Sequence, residues 1–232
     1  MLYQSFQAFT DLAHPVRAMA TAVSRGMGTS DPLRKLAATY ELIALGKLTH
    51  SRPDFGIRSV SSNGRELAVR EEVIHATPFG SLLRFRKETD ACGPRVLLVA
   101  PLSGHFATLL RGTVQTLLRD HDVYITDWHN PRDVPLSAGR FGLEEYVLHL
   151  VEFIERMGPG GHVVAVCQPT VAALAAVALM AEDENPAQPL SLTLMAGPID
   201  TRVNPTKVNE LATSRPIEWF EANLIATVPS RY

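Results

Sequence analysis

Cys167 stands between two sequence patterns of different kinds. Before it runs His162-Val-Val-Ala-Val166, a short valine-rich stretch that reads as a strand buried on both faces. After it, Pro169 to Ala181 is rich in alanine and leucine and reads as a helix apolar nearly all round, hence buried. Only Cys167 and Gln168 are left for the turn. Pro169 suits a first helical turn, where its missing N–H costs nothing. A nucleophile held between a strand and a helix N-terminus projects from the top of its sheet. The next backbone N–H faces the place where an oxyanion forms, and the helix dipole favours thiolate over thiol. The chemistry expected is attack by Cys167 on a carbonyl, with the Gln168 N–H as one oxyanion donor. The competing reading is a small buried hydrophobe, the commoner fate of a lone cysteine in apolar surroundings.

A second strand–turn–helix pattern lies earlier. Arg95-Val-Leu-Leu-Val-Ala100 leads into Pro101-Leu-Ser-Gly-His105 and makes Ser103 the rival nucleophile. Ser103 lacks small neighbours at both flanking positions of a sharp elbow. Its place after an early strand suits a second oxyanion loop instead, with backbone donors at Leu102 and Ser103. One glycine there is too weak a signal for a phosphate loop. His105 and His129 lie near the same edge and read as structural. Asp127 and Asp200 end strands, and Asp200 is a candidate triad acid. No histidine follows His162, so the base that should come after the nucleophile is missing.

The elements that position these residues alternate along the chain. Apolar residues at 2, 6, 9, 12, 16, 19 and 23 predict a helix, and a second is expected from Leu33 to Leu48. Residues 55–89 change to a β pattern around an Asn63-Gly64 turn and predict antiparallel edge strands. Strand and helix then alternate: strands at 95–100, 122–127, 162–166 and 190–195, and helices from Phe106, from Leu143 to Met157 and after Cys167. Such repeats imply a parallel sheet, with functional loops at the carboxyl ends of its strands. Three loops, 101–105, 127–135 and 167–169, should therefore meet at one edge.

Composition narrows the classes. The 232 residues carry 22 Lys and Arg against 24 Asp and Glu, a net charge of −2, which offers no electrostatic footprint for nucleic acid. Cys92 and Cys167 are too few for a disulfide framework. No signal peptide and no membrane-length apolar segment are evident. The expectation is a cytoplasmic α/β protein with no metal.

Four long motifs carry a family resemblance: PRVLLVAPLSGHFATLLRGTV (94–114), HDVYITDWHNPRDVPLSAGRFGL (121–143), HVVAVCQP (162–169) and LMAGPIDTRVNPTKVNELA (194–212). The opening MLYQSFQ and SRPIEWFEANLIATVP (214–229) fit as well. Together they resemble the intracellular poly(3-hydroxybutyrate), or polyhydroxyalkanoate, depolymerases, relatives of the polyhydroxyalkanoate synthases within the α/β-hydrolase fold. The resemblance implies a mostly parallel sheet flanked by helices, incomplete at its C-terminus. Residues 1–50 would form a helical extension and 51–232 a partial core. It also implies that Cys167 attacks ester bonds of a storage polyester at a granule surface. Water, or coenzyme A in some relatives, would then take the acyl group, with no bound cofactor. The family's aspartate and histidine lie beyond residue 232, so only Cys167 is carried over. Two alternatives stand beside this: a non-catalytic granule-binding protein, suggested by the amphipathic N-terminus and missing histidine, and a synthase-like acyltransferase.

Overall fold

The computed structural model describes residues 52–89, 93–102 and 106–225, with positions 32, 35, 38 and 39. Its internal contacts divide the chain into two units, Arg52–Glu210, and Met1–Ser51 with Leu211–Tyr232.

The first unit opens with an antiparallel region of β1 (Ser59–Ser62), β2 (Arg65–Ala76) and β3 (Gly80–Lys87). Asn63 and Gly64 both take positive φ, 50° and 74°, as a two-residue type I′ hairpin requires. At the next turn the Thr77 N–H donates to the Gly80 carbonyl at 2.8 Å. The edge-strand reading holds for β1 alone, because β3 pairs on its other side with a later strand. The segment at 55–57 lies outside any strand. Its Phe55 is fully buried, edge-on to Phe85 at 4.9 Å, so its β-like pattern reflects burial rather than pairing.

The alternating half keeps the expected order. It comprises β4 (Arg95–Val99), α1 (Arg111–Leu117), β5 (Asp122–Trp128), α2 (Leu143–Met157), β6 (His162–Val166), α3 (Pro169–Glu182) and β7 (Ser191–Met195). A 3₁₀ turn, Ala107–Leu110, leads into α1. The sheet order is β1-β2-β3-β5-β4-β6-β7, and β4, β5, β6 and β7 run parallel. The chain thus steps one way from β4 to β5, then back across β4 to β6 and on to β7. Crossovers of one hand that reverse direction must change face. Accordingly, α1 packs with one apolar cluster and α2 and α3 with the other.

Strand alternation supplies both clusters. Leu97, Val99, Tyr124, Val163 and Ala165 face α2 and α3, while Leu98, Ala100, Val123 and Ile125 face Val114 and Leu118 of the α1 region. Two burial expectations need correction. Helix α3 buries Ala172, Ala173, Ala176 and Met180 but leaves Val171, Leu174 and Leu179 about two-fifths exposed. Among the described residues its main packing partners are β6, β7 and α2. Likewise β6 buries Val163 and Ala165, whereas Val164 and Val166 are half-buried, because α1 lies over β5 on that face.

Helix α4 (Lys207–Ser214) crosses the division between the units, and α5 (Ile217–Asn223) belongs to the second. In α5 the Trp219 and Phe220 rings meet edge-on at 5.2 Å, and the Arg215 guanidinium lies 5.6 Å over Trp219. Pro32, Lys35, Ala38 and Thr39 are helical, and the rest of the helix expected over 33–48 lies outside the described residues. The helix expected over 2–23 lies outside the described residues. Among the described residues no helix is long and apolar enough to cross a membrane.

Leu150 of α2 is fully buried in the α2–α3 cluster. Leu150→Ala should lower the unfolding free energy by about 2–5 kcal/mol, read as a shifted urea midpoint with unchanged slope.

Candidate active site

The strand order reverses beside β4, and at such a switch point ligands of open α/β sheets bind in the crevice outside the carboxyl ends of the strands. Cys167 lies there, immediately after β6. Its backbone is left-handed, φ 68°, a conformation that costs a non-glycine residue about 1–3 kcal/mol. Its surroundings hold it so. The Cys167 N–H donates to the Met195 carbonyl at 2.8 Å, extending the β6–β7 pairing by one residue. The Cys167 carbonyl accepts from the Thr170 N–H at 3.2 Å and from Thr170 Oγ1 at 2.8 Å. Thr170 is itself fully buried, pressed by the Gly197 backbone after β7. The thiol is free and exposed, so the buried-hydrophobe reading of Cys167 does not describe this structure.

The oxyanion candidates divide. Gln168 is the N-cap of α3 and Pro169 opens the helix, which leaves the first backbone N–H groups without intrahelical partners. Leu102 comes to the same place: its N–H donates to Gln168 Oε1 at 3.4 Å. That long bond puts a neutral amide oxygen on the donor an oxyanion would need. Ser103 and His105 lie outside the described residues, as does Cys92.

Two side chains of β5 fix the exit of β4. Buried Thr126 Oγ1 accepts from the Ala100 N–H at 2.9 Å, and Trp128 Nε1 donates to the Ala100 carbonyl at 3.0 Å. Trp128 lies opposite Gly80 in the β3–β5 register, and a Cβ at Gly80 would come within 2.8 Å of its ring. Sequence reasoning passed over Thr126, Trp128 and Gly80. The signal available was a polar residue and a tryptophan inside an otherwise apolar strand.

The remaining candidates are occupied. The carbonyl of Pro78 can only accept, so His129 Nδ1 carries the proton to it at 3.1 Å, and Nε2 accepts from Ser81 Oγ at 2.9 Å. Asp127 pairs with Arg52 at 2.5 Å, yet burial raises its pKa above the usual carboxylate value despite that cation. Asp200 is exposed and held by Arg202 through two contacts of 2.9 Å, which lower its pKa. Among the described residues no histidine or carboxylate bonds to the Cys167 thiol. No group of three or more His, Cys, Asp or Glu there could hold a metal ion.

A mostly parallel sheet with this reversal, and a left-handed residue at a strand–helix elbow, define an α/β-hydrolase-type fold. Residues 196–232 match the family model described as the PHB de-polymerase C-terminus, on part of the sequence that carries the resemblance. Solved structures to which the chain shows some similarity include the naproxen esterase (carboxylesterase NP) of Bacillus subtilis. It is 15% identical over 54% of this chain and 42% of its own, with a TM-score of 0.37. An α/β hydrolase enzyme from the metagenome of Lake Arreo, Spain, is 15% identical over 94% of this chain and 70% of its own, at a TM-score of 0.42. The chain therefore spans less than half the length of the esterase. A search of curated proteins gives no match.

Two variants test the elbow. Cys167→Gly removes the left-handed penalty at an exposed position and should raise stability by about 0.5–1 kcal/mol in urea, whereas a relaxed elbow would gain nothing. At Gly197 an added Cβ would fall 1.7 Å from Thr170 Oγ1. Gly197→Ala should therefore destabilise by about 1–3 kcal/mol and slow alkylation of Cys167 by iodoacetamide.

Proposed function

We propose that this chain carries the nucleophile of a cytoplasmic poly(3-hydroxybutyrate) depolymerase, acting on storage polyester at granule surfaces. The observation that carries this reading is the exposed, left-handed Cys167 at the N-terminus of a 14-residue helix. The match of residues 196–232 to a PHB depolymerase family model supports the substrate class.

In the proposed reaction the Cys167 thiolate adds to an ester carbonyl of the polymer. The tetrahedral oxyanion takes the Gln168 N–H and the Leu102 N–H, displacing Gln168 Oε1 from the latter. Collapse breaks the ester C–O bond and leaves a thioester on Cys167. The base that the resemblance implies takes the proton from the Cys167 thiol and returns it to the departing alkoxide. Water, or the thiol of coenzyme A, then takes the acyl group and restores the thiol.

The test is acylation of the full-length protein by 3-hydroxybutyrate oligomers, followed by intact mass. Wild-type protein should gain one acyl unit at Cys167 and release shorter oligomers, while Cys167→Ala should lose at least a thousandfold in turnover. Undiminished cleavage by Cys167→Ala would remove this mechanism. Granule binding with no cleavage by the wild type would favour the non-catalytic alternative.

A further inference from the structure

Beside the crevice, the loop after β5 folds over Phe79 and Leu102 to leave an apolar cavity of about 260 Å³. Its walls include Val134, Pro135, Leu136 and Phe141. The Phe79 and Phe141 rings meet at 4.9 Å, and Phe141 lies 5.7 Å from Trp128. Pro131 and Pro135 restrict the loop, and a 3₁₀ turn, Leu136–Ala138, closes it. Glu145 anchors its far end, accepting from the Gly142 N–H at 2.7 Å and from Arg140 at 2.9 Å. The hydrogen bond from Arg140 leads in holding this carboxyl at a pKa of about 2. The cavity is thus held in shape by the fold, as small-molecule sites usually are.

We infer that this cavity is the subsite for the alkyl part of the acyl unit being transferred, and that it selects short, uncharged chains. The inference rests on the nucleophile reading of Cys167. Three features carry it. First, Leu102 belongs to both places: it walls the cavity, and its N–H lies 3.4 Å from the side chain of Gln168, the residue after Cys167. In the proposed complex an ester oxygen sits on that N–H with its acyl chain turned toward the cavity. Second, the lining is apolar apart from His129, whose two nitrogens are already bonded to Pro78 and Ser81. A charged group seated there would find apolar walls in place of part of its hydration. Third, at about 260 Å³ the space lies at the small end for organic ligands, enough for a short branch and too little for a long fatty chain.

The probes are p-nitrophenyl acetate, butanoate, hexanoate and dodecanoate, with the p-nitrophenolate burst and intact mass reporting single acylation of Cys167. In the wild type the burst rate should rise about tenfold or more from acetate to butanoate or hexanoate and fall again at dodecanoate. Val134→Trp, on the exposed loop, should fill the space and lower the hexanoate-to-acetate ratio at least tenfold. Leu136→Glu, at a residue 97% exposed, should lower the same ratio by placing a charge at the mouth without straining the fold. A ratio unchanged within twofold in both variants would overturn the subsite while leaving Cys167 as nucleophile. Failure of every ester to acylate a Cys167 that iodoacetamide still alkylates would overturn the nucleophile reading and the subsite with it.

Discussion

The left-handed backbone of Cys167 is the constraint on which the site depends. An L-residue there is less stable by about 1–3 kcal/mol than in a relaxed turn, so the neighbours must hold it. They do so from two sides. Met195 on β7 accepts the Cys167 N–H, and buried Thr170 gives two donors to the Cys167 carbonyl. The elbow is therefore secured by β7 and by the first turn of its own helix. Its geometry depends on β7 and on the Gly197 backbone packing against Thr170, both later in the chain than the nucleophile.

A second set of contacts brings the partner loop into place. Strand order alone puts the ends of β4 and β6 side by side, with Leu98 paired to Val164 and Val99 to Ala165. The course of the chain leaving β4 is set by β5, through the Thr126 and Trp128 bonds to the two backbone groups of Ala100. Trp128 can lie there only because Gly80 opposite it has no side chain. The antiparallel hairpin of β2 and β3, far from Cys167 in sequence, thus contributes a missing Cβ at Gly80 to the exit of β4 and Phe79 to the neighbouring cavity.

Much of this was legible in the residues. The strands expected at 95–100, 122–127 and 162–166 form at Arg95–Val99, Asp122–Trp128 and His162–Val166, and the spacing from Leu143 to Met157 became α2, because both patterns report local period. The turn at Cys167 was legible because only two residues separate a valine run from a proline-led alanine run. Side-chain contacts between distant segments were not. Gln168 Oε1 on the Leu102 N–H joins residues 66 apart, and the ring of Phe79, Trp128 and Phe141 gathers three segments. The expected full burial of α3 failed for a related reason. Its composition is uniform, but packing is decided by which neighbours lie on each side, and Val171 and Leu174 stay about two-fifths exposed.

The same distinction bears on why an open elbow suits the proposed substrate. A small ester is best served by enclosure, since expelled water strengthens each hydrogen bond to the oxyanion. A polymer cannot be enclosed, because chain extends from both sides of the bond being cut. Recognition must then divide into one short branch taken into a small apolar recess and a backbone left on the surface. Cys167 and Gln168 are exposed, whereas the cavity walled by Leu102, Val134 and Phe141 holds only about 260 Å³. On the proposed reading, affinity for the repeating unit comes from that small apolar space, and tolerance of the remaining chain from the openness around the thiol.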